Sequence, residues 1–311
     1  MLRYVVLRLL QGALVVVLIS VLTFGILHLT PGDPILILIG ETGRTQLTTA
    51  QIEAIRHYWG LDRPLYVQYF TWVGHMVRGD FGESVIRVGV PVRQMILEAA
   101  PVTVKINALA LLLSIVVALP AGILAGVKQY SLFDYAGTVG ATLGVSLPNF
   151  WVALMLIILF ALKLGWLPPF GVATWQGYVL PVLVLSIEQL AVLTRLMRGT
   201  TIETLGQDFV RTARAKGLPE RAVLGRHVVR NALLPVVTVI GYRLAFLLSG
   251  TIVIETVFAV PGLGQLFVNS VYHLDYQVVQ AIVFVLTVLV VAANLLTDLV
   301  YAYIDPRIRL R

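Results

Sequence analysis

QDFVRTARAKGLPERAVLGRHVVRNALLP, residues Gln207–Pro235, lies between two long apolar stretches and decides how the chain is arranged. A segment with this much charge cannot lie in hydrocarbon, so it must be a water-exposed loop. Its excess of Lys and Arg places it on the cytoplasmic side of a membrane. The segment is therefore a candidate docking surface, and a merely solvated basic loop is the alternative that composition leaves open.

Composition places the rest of the chain in a membrane. Hydrophobic residues make up 58% and charged residues 13% of the 311 residues, and the mean hydropathy is +0.89. Apolar windows of about 20 residues are long enough to cross a bilayer core as helices. We predict an all-α, multi-pass protein with six membrane-spanning helices, at about Leu9–Leu29, Val102–Val127, Ala136–Leu162, Val179–Leu196, Leu233–Phe258 and Val279–Tyr303.

The distribution of positive charge predicts the orientation. An even number of crossings puts both termini on the same side. Among the short segments outside the crossings, those on the side of Gln207–Pro235 hold all of the Lys and Arg except Lys163. The long segment Thr30–Pro101 has six Arg, but its length exempts it from the rule. Both termini are therefore predicted to be cytoplasmic. The net charge of +7 sits on these membrane edges, where anionic lipid and partner proteins account for it without nucleic acid.

The long segment after the first crossing predicts an extracytoplasmic helical insertion. Thr48 and Gln51 form a capping-box pattern, and amphipathic helices are predicted over Leu65–Arg78 and Val92–Ala99. These helices are too short to span, so they cover the outer mouth, lie in the interface or form a packed linker. We divide the chain into residues 1–101 and a five-helix core at 102–311, with a cytoplasmic loop at about 199–232.

Motifs for catalysis are missing from the sequence. It contains no GxxxxGK[ST] phosphate loop, no HExxH, no GxSxG and no Cys, and its five His are scattered. We therefore predict no enzymatic activity, cofactor or metal for this chain itself.

Ionisable residues inside the apolar segments are the remaining candidates for function, because each is costly in hydrocarbon and needs a partner. Counted from the membrane faces, Glu188 and Arg243 fall near mid-depth, and Lys105 and Glu255 fall near the outer face. We predict both as interhelical pairs, which either line a cavity or clamp helices together.

Two breaks in the apolar pattern are further candidates. SLPNFW at Ser146–Trp151 places Pro148 and the polar Asn149 inside a crossing, which predicts a kink that either lines a pathway or is only structural. Between the last two crossings, Pro261, Gly262 and Gly264 permit tight backbone turns near the outer surface. These three residues predict a gate-like element or an ordinary loop.

The basic segment itself predicts two short helices joined at a glycine elbow. Asp208–Lys216 favours helix, Gly217 breaks it, and Pro219 suits the first turn of a second helix that continues to Val229. Ala213 leaves little bulk near the glycine, so the elbow could enter a groove on a partner.

These residues resemble a known family. RTARAKGL at Arg211–Leu218, followed by RHVVRNALLPVVT at Arg226–Thr238, is similar to the coupling motif of ABC-importer permeases of the dipeptide, oligopeptide and nickel type. The resemblance covers nearly the whole chain, because further matching segments follow in order: LTPGDP at 29–34, GLDRPLYVQYF at 60–70, RGDFGES at 78–84, VFAVPGLG at 257–264 and DPRIR at 305–309.

The resemblance implies the type I permease fold of ABC importers in the inner membrane of a prokaryote. It implies that the elbow docks in a cleft of a cytoplasmic ATPase, through Arg211, Ala213, Arg214, Lys216, Gly217 and Leu218. The implied partners are a second homologous permease subunit, two ATPase subunits that carry ATP and Mg²⁺, and an extracytoplasmic solute-binding protein.

Several functions stay open at this stage. The resemblance favours import of di- or oligopeptides, and nickel chelates or other small solutes are the alternative cargo. An ion-coupled secondary transporter would show inverted repeats or a chain of titratable groups, and neither is found in the sequence. A membrane scaffold without transport is the third possibility, which the charged residues at mid-depth disfavour.

Overall fold

The computed structural model describes residues 2–29, 48–58, 62–87, 89–245 and 251–304, and the regular elements in these ranges are helical. An isolated antiparallel bridge joins Glu83 and Pro91. The helices are α1 Leu2–Leu29, α2 Thr49–Tyr58, α3 Leu65–Val77, α4 Val92–Val127, α5 Leu132–Ser146, α6 Asn149–Leu156, α7 Val179–Leu205, α8 Asp208–Ala215, α9 Glu220–Ala222, α10 Arg230–Ala245, α11 Ile252–Val257, α12 Leu263–Tyr272 and α13 Tyr276–Ile304. Single π-helical stretches, Ile157–Lys163 and Val223–Val229, extend α6 and α9.

The number of membrane-spanning helices agrees with the sequence. Five helical stretches in the described ranges are long and apolar enough to cross a bilayer, and the bent pair α5 and α6 brings the number to six. Their outer faces are apolar, as lipid contact requires: Leu10 and Leu14 of α1, for example, are 61% and 58% exposed. The predicted all-α, multi-pass fold is therefore confirmed.

The predicted helix Val92–Ala99 and the second crossing are one helix, α4. It contains 36 residues and is therefore about 54 Å long at about 1.5 Å per residue, well beyond a hydrocarbon core of about 30 Å. The apolar run from Val102 marks only the part of α4 that lies in hydrocarbon. Charged residues such as Arg93 and Glu98 belong to the same helix outside that layer.

A sharp break interrupts the predicted crossing Ala136–Leu162. The axes of α5 and α6 differ by 103°. Leu147 has extended dihedrals of −87° and 131°, and Pro148 follows with −62° and 131°. The ring of Pro148 disfavours helical geometry at the residue before it, so the helix ends there and restarts at Asn149.

The chain divides into two compact units. The first comprises Met1–Pro101 and Gln265–Arg311. In it α1 packs along α13, and Gly12 allows the close approach because a Cβ there would lie 2.6 Å from Val291 Cγ1. Aromatic rings of α1 and α3 contact each other beside this pair, with the Phe24 and Tyr69 centroids 5.5 Å apart. The last crossing thus groups with the N-terminal region, whereas the sequence analysis placed it in the core.

The second unit, Val102–Gly264, contains the predicted pathway and loop. Helix α7 lies at its centre, packed against α5 and α10. Helix α4 approaches α7 closely through a Gly-x-x-x-Gly spacing, since a Cβ on Gly122 would lie 2.6 Å from Met197 Cβ and one on Gly126 would lie 2.7 Å from Thr201 Cβ. Small residues at this spacing let helix backbones pack in a membrane, where apolar burial alone gives no preference between helix and lipid.

Segments named in the sequence analysis lie partly outside the described residues. These are residues 30–34 of LTPGDP, Gly60 and Leu61 of the following motif, residues 246–250 of the predicted crossing Leu233–Phe258, and DPRIR at 305–309.

Candidate functional site

The backbone of the glycine elbow forms a Schellman cap at the end of α8. Leu218 N–H donates to Ala213 C=O at 3.4 Å, and Gly217 N–H donates to Arg214 C=O at 2.9 Å. These are the two bonds that close this cap, which requires a left-handed residue after the last helical position. Gly217 has φ of +75°, so glycine is the residue that takes this conformation without strain.

Apolar contacts hold the elbow together on its buried side. Val210, Ala213, Val223 and Val228 form a buried cluster that joins α8 to the π-helical stretch after α9. Ala213 is only 4% exposed, so its small side chain faces this cluster and cannot itself contact a partner. The small side chain of Ala213 therefore lets the two short helices approach each other.

An ion pair joins the two short helices on the exposed side of the elbow. Arg214 donates to both carboxylate oxygens of Glu220, with Nη2 to Oε1 at 2.7 Å and Nε to Oε2 at 3.2 Å. The hydrogen bonds from Arg214 lower the pKa of the Glu220 carboxyl, and those to Glu220 raise the pKa of Arg214. Because Arg214 is committed to this internal pair, it is less available to a partner than the sequence suggested.

The remaining residues of the predicted docking set are available at the surface. Arg211, Lys216 and Leu218 are exposed, and a Cβ added at Gly217 would meet no atom within 4 Å. The elbow therefore presents a backbone turn with open space in front of it, flanked by two cations and one apolar side chain. An exposed turn with open space in front of it can fit into a cleft.

A polar cluster lies between α6, α7 and α10, where the sequence predicted the mid-depth pair. Arg243 Nη2 is 3.5 Å from Glu188 Oε1, and Asn149 Nδ2 is 3.5 Å from Glu188 Oε2. The side chains of Arg243 and Glu188 are 31% and 43% exposed. These long contacts bring the three predicted residues together at an accessible face of the unit.

The predicted pair of Lys105 and Glu255 is wrong. Lys105 Nζ lies over the ring of Tyr178, 4.2 Å from its centroid, and the lysine is exposed. Glu255 is 1% exposed and turns into the unit. The two residues share a depth but point in different directions around the helix bundle, and depth was all that the apolar pattern could supply.

Glu255 instead anchors the predicted gate. Its Oε2 accepts from Gly264 N–H at 2.7 Å, and its Oε1 accepts from the hydroxyls of Thr103 at 2.7 Å and Thr251 at 2.9 Å. The Thr103 hydroxyl in turn accepts from Leu263 N–H at 2.8 Å. A charged group this deeply buried is tolerated because donors surround it.

The two glycines of the gate are required by this carboxylate. A Cβ at Gly262 would lie 2.5 Å from the Glu255 carboxyl and 2.6 Å from Thr103 Oγ1, and one at Gly264 would lie 2.6 Å from Ile252 Cα. The turn at Pro261–Gly264 is therefore fixed on α11 and α4 rather than loose.

Sequence reasoning missed a buried pair at the start of α5. Asp134 is 2% exposed and receives both Nε and Nη2 of Arg198 on α7, the latter at 2.8 Å. It also accepts from Tyr130 N–H at 3.0 Å. Ser131 caps the same helix end through Asp134 N–H, and this Ser-x-x-Asp spacing is a signal that could have marked Asp134 as structurally fixed.

A second buried acid was also missed, in the first unit. Asp275 is 2% exposed and accepts from the Ser84 hydroxyl and from Val85 N–H at 3.3 Å. It thereby joins the RGDFGES segment to the end of α12. Only the tertiary fold brings these positions together, since they are 191 residues apart.

The described residues contain no group of three or more His, Cys, Asp or Glu side chains placed to hold a metal ion. The candidate sites described above consist instead of backbone turns and ion pairs.

Comparison with known proteins places this arrangement among transport components. A family model described as "Binding-protein-dependent transport system inner membrane component" matches residues 118–310, and a second, for the N-terminal part of such components, matches residues 1–107. The chain is 38% identical to the oligopeptide transport system permease protein AppB of Bacillus subtilis over 318 residues, covering 99% of each chain. It is 39% identical to the glutathione transport system permease protein GsiC of Escherichia coli K12 over 309 residues, again covering 99% of each.

A solved structure shares the fold. A chain in the crystal structure of an amino acid ABC transporter with histidines superposes with a TM-score of 0.55 at 15% identity, covering 66% of this chain and 92% of that chain. At this identity the likeness concerns the fold alone.

Proposed function

The chain belongs to the family of binding-protein-dependent transport system inner membrane components, and from this premise we propose that it is a permease subunit of an ATP-driven importer of peptides. The two relatives described above are named for oligopeptides and for glutathione, a small peptide, so we place the cargo in the peptide class. Uptake of labelled di- and oligopeptides, with a nickel chelate as the competing cargo, tests this choice.

The observation that carries the coupling role is the Schellman-capped elbow. The ATPase partner is proposed to receive the turn at Gly217, with Arg211 and Lys216 beside it and Leu218 in apolar contact. Two features support this: the space in front of Gly217 is open, and the cap, the buried cluster and the Arg214–Glu220 pair hold the turn rigid. A rigid turn passes on a displacement that a flexible loop would absorb.

The test is Gly217→Trp in the assembled importer. The bulky side chain fills the space in which the partner cleft would sit, so we expect peptide uptake to be abolished while membrane insertion and association with the solute-binding protein are kept. Normal uptake by this variant contradicts the docking role.

Gly165→Trp is the matched control. Gly165 also has a positive φ, +64°, and open space around its Cβ, but it lies in the loop after α6. A Trp at position 165 imposes the same kind of backbone strain without touching the elbow, so peptide uptake should persist. If both variants lose uptake and insertion together, strain rather than docking is responsible.

The partners and orientation follow from the same proposal. A second permease subunit would complete the pathway, two ATPase subunits with ATP and Mg²⁺ would bind at the cytoplasmic elbows, and a solute-binding protein would deliver cargo on the other side. Both termini are then cytoplasmic. Subunit stoichiometry by native mass spectrometry and protease accessibility of the elbow in inside-out and right-side-out vesicles test these points.

The pathway is proposed to run past Asn149, Glu188 and Arg243, because these polar side chains remain accessible at the face where α6 restarts. The turn Pro261–Gly264 is proposed as the outer gate, held by Glu255. Cysteine substitutions at Asn149 that react with a soluble thiol reagent only during transport would support the first assignment.

A further inference from the structure

A cavity of about 700 Å³ lies beside the elbow, at the start of α10. It is lined by Gly225, Arg226, His227, Arg230 and Asn231. Arg226 and Arg230 are one helical turn apart and exposed, so both guanidinium groups reach the same opening. Asn231 Nδ2 donates to His227 C=O at 2.6 Å, which fixes one wall of the cavity.

The two arginines differ from others in this part of the chain. Arg198 and Arg214 have carboxylate partners, whereas no carboxylate within the described ranges forms an ion pair with Arg226 or Arg230. Gly225 adds no side chain, which leaves the opening wide. The cavity is thus a concave surface with two positive charges that have no ion-pair partner among the described residues, and its chemistry selects an anion.

An apolar stripe continues directly from this cavity along the same helix. Leu234 and Val237 are 64% and 57% exposed and follow Arg230 at positions i+4 and i+7. The opposite face of α10 is buried through Ala232 and Val236, each 1% exposed or less. The stretch Glu220–Arg243 is itself one of the candidate membrane spans, so the arginines lie towards its end and the stripe lies within it.

We propose that this cavity binds the headgroup of an anionic phospholipid, whose acyl chains lie along Leu234 and Val237. A phosphate group accepts hydrogen bonds from both guanidinium groups, and cations near a membrane surface attract anionic lipid. A soluble anion would make no use of the apolar stripe, and neither would a protein partner that binds only from the water. The site is separate from the turn at Gly217 and does not depend on its coupling role.

The experiment is lipid titration of the purified, delipidated importer followed by native mass spectrometry. Phosphatidylglycerol and phosphatidylcholine are the two probes. We expect Arg226→Gln/Arg230→Gln to weaken phosphatidylglycerol binding at one site about tenfold and to leave phosphatidylcholine binding unchanged. Arg226→Lys/Arg230→Lys, which keeps the charge and guards against misfolding as an explanation, should restore most of the binding.

The matched control is Arg195→Gln/Arg221→Gln, which removes the same charge from exposed positions outside both the cavity and the proposed docking residues. An equal loss of phosphatidylglycerol in this control would show a general charge effect and overturn the site. Unchanged lipid binding in Arg226→Gln/Arg230→Gln would overturn it too, as would displacement of the lipid by glycerol phosphate at equal concentration. Loss of the ATPase subunits with lipid retained would assign the cavity to a protein partner instead.

Discussion

Replacing Glu255 by Gln is the sharpest test of how the turn at Pro261–Gly264 is held. The amide has the shape of the carboxylate and keeps one oxygen, which can still accept from Thr103 and Thr251. The other position then carries an NH₂ group that faces Gly264 N–H, where the carboxylate oxygen accepted at 2.7 Å. Two donors then meet, and Gly264 N–H loses the carboxylate oxygen to which it donated.

The expected loss of stability follows from replacing an acceptor oxygen by a donor NH₂ group. A hydrogen bond to a charged group contributes about 1.5–3 kcal/mol, and a buried donor left without an acceptor costs about 1–3 kcal/mol. Glu255 is 1% exposed, so water does not replace the lost acceptor. We expect Glu255→Gln to lower the free energy of unfolding by roughly 3–5 kcal/mol, which corresponds to a fall of the unfolding midpoint by roughly 6 °C or more.

Thermal unfolding of the purified protein in detergent measures this effect, and limited proteolysis after residue 258 reports the local loosening. Glu98→Gln is the matched control, because Glu98 is an exposed acid whose hydrogen bond, from Gln94, joins neighbours on one helix. Thr103→Val should act like Glu255→Gln, since it removes the acceptor of Leu263 N–H, and Thr103→Ser should not. Equal midpoints for Glu255→Gln and Glu98→Gln would refute the reasoning.

Three further predictions concern other parts of the second unit. Asp134→Asn should lower the free energy of unfolding by about 3 kcal/mol, because Arg198 loses its charge partner in a largely buried site. An unchanged unfolding midpoint would contradict this. Gly122→Leu should prevent the approach of α4 to α7 and abolish the monodisperse peak in size-exclusion chromatography, whereas Gly137→Leu, at an open position, should keep it. The lowered pKa of Glu220 means that its stabilisation of the elbow is present above its ordinary value of 4.5 and is lost as the pH falls through the lowered value. Spin labels on either side of the elbow should therefore move apart in acid, and in Glu220→Gln the distance should not change with pH.

Features set by neighbouring residues could be predicted from the sequence. The elbow depends on Gly217 and Pro219 acting within a few positions, and the break depends on Pro148 acting on Leu147, so local rules place both. Depth in the membrane predicted the pair of Glu188 and Arg243. This prediction was correct because both residues also face the same side of the unit.

Features that depend on direction around a helix could not be predicted from a single sequence. Depth also matched Lys105 with Glu255, yet one points outward over Tyr178 and the other inward to Gly264. The length of α4 was missed for a different reason. Hydropathy reports where hydrocarbon begins, at Val102, and carries no information on how far a helix continues into water.

The proposed coupling role places a mechanical demand on the helices that flank the elbow, and the packing meets it. Helices α7 and α10 are joined at two separate heights: Leu193 and Met197 pack against Ala232 and Val236, and Glu188 pairs with Arg243 farther along both helices. Two helices that are joined at two contact points resist rotation about either contact point. A push on the elbow would therefore move both helices as one body. The pair of Glu188 and Arg243 then matters for position more than for stability, since its contact is long and accessible. In the proposed coupling, the displacement reaches Asn149 through Glu188, at the point where Pro148 has already interrupted the backbone hydrogen bonds. Helix α5 moves with α7, because the buried pair of Asp134 and Arg198 joins these two helices.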